Sequence, residues 1–237
     1  MLRLPPPGLL EKSFGEHRAL SGIDLRMSRG ECLVIFGPNG AGKTTLLKIL
    51  STIVKPSAGS VRLDGIDIKG KPAQIRRKVS LVSHQTFFYS DLTVYENLKF
   101  YGRMYDVADL EKRIQEVIAW VQLESRLYDR VGTLSRGLQQ RASLARAVLH
   151  NPSILFLDEP EVGLDPHAGA MLEDILGSIN SGNRTVVMTT HNLERGLELS
   201  DRVVILDRGK IVYEASGHEL NRTDFRQIYD RCTDKGR

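Results

Sequence analysis

The chain has 237 residues, 41% of them hydrophobic and 26% charged, with a formal net charge of +4, which suits one sizeable domain and excludes two of equal size. No apolar run approaches the roughly 20 residues that cross a bilayer, and Met1-Leu-Arg-Leu-Pro-Pro-Pro7 lacks the apolar stretch of a secretory signal. There is no dense basic tract interleaved with aromatics, and Cys32 and Cys232 stand far apart. A cytosolic protein is therefore expected, with no nucleic-acid partner and no disulfide framework.

In chain order, the segment from Leu20 to Arg62 reads as strand, strand, turn, helix, strand. Within it Glu31-Cys-Leu-Val-Ile-Phe-Gly37 is a compact apolar strand, Gly42 to Ile53 has helical composition, and Lys55-Pro-Ser-Ala-Gly59 is a turn. Between strand and helix lies Gly37-Pro38-Asn39-Gly40-Ala41-Gly42-Lys43-Thr44-Thr45, a match to G-x-x-x-x-G-K-[ST]. Glycines there let backbone N–H groups approach phosphate oxygens closely, and the helix N-terminus adds partial positive charge. Lys43 can reach the β- and γ-phosphates as a flexible point charge, and Thr44 offers a hydroxyl to Mg²⁺. With glycine near 7% of residues, the bare pattern arises by chance in roughly one chain in a hundred. The strand–turn–helix setting makes chance rarer still, so this loop is expected to bind nucleotide.

Val79 to Val82 is a further short strand. From Thr93 to His150 the pattern turns helical, with Leu110, Ile114, Val117, Ile118 and Val121 on one face. Ile154-Leu-Phe-Leu157-Asp158-Glu159 is an apolar strand ending in two carboxylates. Asp158 at the strand edge can hold Mg²⁺, and Glu159 one residue on can orient and deprotonate an attacking water. A polar turn would read the same in isolation; the phosphate loop upstream favours chemistry. Helix, strand (Thr185 to Met188), helix and strand (Val203 to Leu206) follow, and the tail after Gly217 reads as a helix. Strands alternating with helices indicate a sheet with a parallel core covered on both faces. The block at about 86–150 reads as a helical subdomain inserted in a single domain, 1–237.

Leu134-Ser135-Arg136-Gly137-Leu138-Gln139-Gln140-Arg141 narrows the reading further. It resembles the LSGGQ signature of ABC transporters, and Ser135 also reads as an ordinary helix N-cap. Gln85 after a strand, Leu164-Asp165 after the acidic pair and Thr189-Thr190-His191 at a strand end resemble the family's Q-loop, D-loop and switch histidine. The resemblance spans Phe14 to about Glu214. It implies a P-loop NTPase of ABC type, with a mainly parallel core sheet, an antiparallel β region and the inserted helical subdomain. It further implies ATP and Mg²⁺ sandwiched in a head-to-tail dimer, with two identical copies as the expected pairing, beneath a separate membrane-spanning permease at the cytoplasmic face of the cell membrane. Gly37 to Thr45, Asp158 and Gln85 would hold nucleotide and metal; Glu159, Gln85 and His191 would serve hydrolysis. Ser135, Gly137 and Asp165 would close the facing site, and Phe14 would stack on adenine unless it is a core residue.

The match has departures. Arg136 and Leu138 replace a glycine and the glutamine of the signature, Glu161-Val162 replaces small polar residues, and Leu4-Pro-Pro-Pro-Gly-Leu9 predicts a short or irregular first strand. The run Leu92 to Tyr105 resembles ABC-2 exporters, with the heme exporter of cytochrome c maturation the nearest subgroup. Alternatives are an exporter of a drug, lipid or glycan, and a soluble ABC ATPase acting on ribosomes or nucleic acid. A second ATPase unit or long coiled-coil insertion, usual in such soluble proteins, is absent from this sequence.

Overall fold

Cys32–Phe36, Val79–Val82, Ile154–Asp158 and Thr185–Thr189 are short runs in which every residue is buried, and strands covered on both faces belong inside a sheet. The computed structural model describes residues 2–3, 9–161, 177 and 184–233, and elements are numbered along those residues. β1 (Leu2–Arg3), β2 (Leu10–Phe14), β3 (His17–Ile23) and β4 (Arg26–Met27) precede β5 (Cys32–Phe36) and α1 (Lys43–Leu50). β6 (Arg62–Leu63), β7 (Ile66–Asp67), α2 (Pro72–Arg76) and β8 (Val79–Val82) follow. Next come α3 (Val94–Met104), α4 (Leu110–Trp120), α5 (Arg136–Val148), β9 (Ile154–Asp158) and β10 (Thr185–Thr189). The described chain ends with α6 (Leu193–Leu199), β11 (Arg202–Asp207), β12 (Lys210–Ser216) and α7 (Arg222–Thr233). The helix expected between the acidic pair and Thr185 lies outside the described residues.

The main sheet has the order β12-β11-β5-β10-β9-β8, parallel from β11 to β8, with β12 antiparallel at one edge. Alternate residues of its strands enter two separate cores, as the two-residue period of a strand requires. Val34, Phe36, Leu155, Leu157, Val186 and Met188 pack with side chains of α3, α4, α5 and α7. Leu33, Ile35, Ile154, Phe156, Val187 and Val204 pack with α1 and with β2, β3 and β6. Each such side chain removed from water contributes about 1.5–3 kcal/mol. The antiparallel region consists of the sheet β4-β1-β6-β7 and the pair β2-β3. β1 is described at Leu2–Arg3, and the proline run expected to shorten the first strand lies outside the described residues.

Three helices fill the interval between β8 and β9. α3 starts at a capping box: Glu96 N donates to Thr93 Oγ1 (3.1 Å) and Thr93 N donates to Glu96 Oε2 (2.8 Å). α4 buries Ile114, Val117 and Ile118, the face expected from their spacing. The helical run is broken at Asp106 and Asp109, both at positive φ, and by short 3₁₀ turns at Glu124–Arg126 and Val131–Thr133. The tail forms α7, whose Phe225, Ile228, Tyr229 and Cys232 share one face on the core. Phe225 meets Phe36 edge-on, with ring centroids 4.9 Å apart.

Candidate active site

Because β5, β8, β9 and β10 are parallel, the loops that follow them emerge on one edge of the sheet. After β5 the chain turns sharply into α1. Gly42 caps that helix at φ +105, and a Cβ there would stand 2.5 Å from the Ala19 carbonyl oxygen. Only glycine suits both the conformation and the space. A Cβ on Gly37 would likewise strike the Leu206 carbonyl. Ala41 N donates to Pro38 O (3.2 Å), and Gly209 N donates to Ala41 O (2.9 Å), closing the loop on itself and on the β11–β12 turn. Asn39, Gly40 and Thr44 are exposed, Thr45 half-buried, and Gly37 and Ala41 buried.

Lys43, 5% exposed, sits inside this loop. Its Nζ donates to Gly37 O (2.6 Å) and Pro38 O (3.2 Å) and lies 3.8 Å from Glu159 Oε1. Burial lowers its pKa; the nearby Glu159 and Asp158 carboxylates oppose that shift. The ammonium is thus held on carbonyls at the mouth of the loop.

The register that sets Thr189 opposite Asp158 builds the next group. Thr44 Oγ1 (3.1 Å) and Thr189 Oγ1 (2.9 Å) both donate to Asp158 Oδ1, and Asp158 is only 2% exposed. A carboxylate beside a hydroxyl is the hard-oxygen set that Mg²⁺ takes, usually with waters completing its shell. The residues present fit that ion, although among the described residues no cluster of three or more acidic, His or Cys side chains forms a dedicated metal cage.

Glu159 leaves the strand at φ +49, a left-handed conformation that costs roughly 1–2 kcal/mol without glycine. Its N–H is shared between Thr189 O (3.1 Å) and Thr189 Oγ1 (3.0 Å). The turn so formed sends the carboxylate between two histidines: Oε1 lies 2.6 Å from His191 Nε2, and Oε2 lies 3.5 Å from His84 Nε2. The following residues brace it. Glu161 accepts from Thr190 Oγ1 and stands 3.8 Å from Arg195 Nε, while buried Gln140 of α5 donates to Pro160 O (3.5 Å).

The structure therefore joins Lys43, Thr44, Asp158, Glu159 and His191 in one network. Gln85 is exposed and not joined to this network; its backbone carbonyl accepts from Ser83 Oγ (3.0 Å). The loop after β8 instead sends His84 to the acidic turn. Ser135 is an exposed N-cap whose Oγ accepts from Leu138 N (3.4 Å), and Gly137 beside it is half-buried. Leu138, in place of glutamine, packs against the core. Phe14 is 51% exposed with Lys12 Nζ 4.6 Å from its ring centre, so the alternative of a core residue is excluded. Asp165 lies outside the described residues. Sequence reasoning missed His84 and the bracing by Glu161. The sequence carried no signal for the first: only the parallel register seen in the structure, Val82 beside Leu157, carried two residues on, sets His84 opposite Glu159.

A phosphate-type loop and a paired carboxylate on the strand ends of such a sheet make this a P-loop NTPase fold. Residues 20–162 match the ABC transporter family. The chain is 34% identical over 213 residues to the Nod factor export ATP-binding protein I of Cupriavidus metallidurans, covering 89% of this chain and 70% of that protein. It is 35% identical over 212 residues to the daunorubicin resistance ATP-binding protein DrrA3 of Streptomyces coeruleorubidus, covering 89% and 67%. Among solved structures, the dimeric post-hydrolysis state of the ATP-binding cassette MJ0796, bound to ADP and Pi, is similar with a TM-score of 0.83 and 30% identity, covering 91% of this chain and 98% of that one. The chain belongs to the ABC transporter family.

Proposed function

We propose that this chain, the ATP-hydrolysing subunit of an ABC transporter, cleaves ATP with Glu159 as general base and drives export through a separate membrane-spanning permease. The supporting observation is the position of the Glu159 carboxylate, 2.6 Å from His191 Nε2, 3.8 Å from Lys43 Nζ, and next in sequence to the Asp158–Thr44 pair. Gly37 to Thr45 wrap the phosphates, with Lys43 exchanging its carbonyl partners for phosphate oxygens. Thr44 and Asp158, with Gln85 from the neighbouring loop, would hold Mg²⁺. That ion, when bound, neutralises charge on the β- and γ-phosphates. Glu159 accepts the proton of the attacking water, and His191 holds its carboxylate and meets the γ-phosphate.

Two copies pair head to tail, Ser135, Gly137 and Asp165 of one closing the nucleotide of the other, with Phe14 against adenine. The dimeric MJ0796 structure supports the association of two copies. Among the described residues no helix is long and apolar enough to cross a membrane, consistent with attachment to the cytoplasmic face through the permease. Relatives named for Nod factor export and daunorubicin resistance support an exporter. They lend no support to heme as the cargo, a reading that rests on the Leu92 to Tyr105 run alone, and the daunorubicin resistance relative supports the alternative of a drug exporter.

Glu159→Gln tests the assignment. The variant should bind MgATP, hydrolyse it at least roughly a hundredfold more slowly, and be held as a dimer by uncleaved ATP. Normal turnover together with a monomer at saturating MgATP would remove Glu159 from the base role.

A further inference from the structure

Sheet order places β9 between β10 and β8, so the turn carrying Glu159 has a loop on either side. The loop after β10 supplies His191, 2.6 Å from Oε1. The loop after β8 supplies His84, 3.5 Å from Oε2. The two carboxylate oxygens are therefore divided between two strands' loops, and Lys43 stands on the His191 side, at Oε1. A carboxylate held at one oxygen still turns about its last side-chain torsion, which is broad and roughly two-fold. Contact at the second oxygen restricts that rotation.

His84 is positioned from below as well. Buried Ser83 donates from Oγ to Gln85 O (3.0 Å), spanning the backbone on both sides of His84. The His84 side chain is 56% exposed, so core packing does not account for its place at Oε2, and among the described residues its ion-pair partner is Glu159. Moving the ring nitrogen about half an ångström closer brings the pair into hydrogen-bond range.

We propose that His84 is a positioning residue for Glu159, holding Oε2 while His191 holds Oε1, so that the carboxylate plane stays aimed at the attacking water. The proposal rests on Glu159 being the general base. Orientation of a reacting group affects the chemical step more than ground-state binding, which separates this role from a structural one.

The experiment measures steady-state ATP hydrolysis by the full chain carrying His84→Ala, His84→Leu or His84→Gln, with thermal melting of each. His84→Ala and His84→Leu should lower kcat by roughly three- to tenfold, with KM for ATP within about twofold of the parent. His84→Gln, whose amide nitrogen reaches about as far as imidazole Nε2, should restore most of kcat. In a Glu159→Gln background, His84→Ala should change the residual rate by less than about twofold, because its route of action is already gone. Unchanged kcat in both His84→Ala and His84→Leu, a rise in KM alone, or no rescue by glutamine would overturn the proposal. If His84→Ala fails to melt cooperatively, the leucine and glutamine pair carries the same test. Undiminished turnover by Glu159→Gln alone would instead overturn the base assignment, so the two failures are told apart.

Discussion

At the scale of single residues, burial decides which titratable groups tie stability to pH. His150 is held neutral: burial is the largest cause of a pKa lowered to about 4, with nearby Arg146 and Arg184 pushing the same way and the bond to Val79 O opposing. Its Nε2 lies 3.2 Å from that carbonyl, and its ring stacks on Tyr105 at 4.1 Å. Above the ordinary histidine value near 6.5 both folded and unfolded chains are neutral here, and the full stabilisation is present. As pH falls from 6.5 toward 4 the unfolded chain takes up the proton first, so stability is lost. Between pH 7 and 5 this group should remove about 2 kcal/mol. Urea titrations at the two pH values should show that loss shrinking in His150→Gln; equal losses in both proteins would exclude His150 as the source. The candidate site was legible at this scale where a residue type suggests its chemistry, and Lys43, Asp158 and Glu159, singled out from the sequence, do lie together. His84 was not legible, because a lone histidine acquires meaning only from the strand register that brings it across the sheet.

Among the elements, α6 is placed by one close approach. A Cβ on Gly196 would stand 2.5 Å from Phe36 Cζ and 2.8 Å from Thr190 Cγ2. Phe36 has no room to yield, being fully buried and packed on Phe225. Gly196→Ala should therefore push α6 off the sheet and cost about 1–3 kcal/mol. Thermal melting should register roughly 2–4 °C per kcal/mol for a chain of this size. Gly70→Ala, where a Cβ meets only the Asp67 carbonyl oxygen at an ordinary 3.7 Å, is the control, and equal melting temperatures for the two variants would refute the packing account. The buried strands β5, β8, β9, β10 and β11 were legible because continuous apolar runs of their length have few other uses. The divisions of the helical block were not. They depend on single aspartates at positive φ and on 3₁₀ turns, which leave little trace in apolar periodicity.

For the whole molecule, head-to-tail pairing predicts which lesions share a site. In a linked dimer with Ser135→Arg in one subunit and Lys43→Ala in the other, both lesions should fall in the same composite site. One intact site then remains, and ATPase activity should persist, below half of the parent if the sites are coupled. A subunit carrying both changes, linked to an unchanged one, should have one lesion in each site and be inactive. Activity in that second pair but not in the first would mean that Ser135 serves its own subunit's ATP. The hydrogen bond from Gln140 to Pro160 acquires a consequence in such a pair. Gln140 lies five residues along α5 from Ser135, about 8 Å of helix. One end of that short rod would feel the nucleotide of the facing subunit, while its flank is fastened to the turn that carries its own subunit's Glu159. The two catalytic centres would then be wired in series through a single turn and a half of helix, with news of a cleaved phosphate at one reaching the other by a tug on a carbonyl.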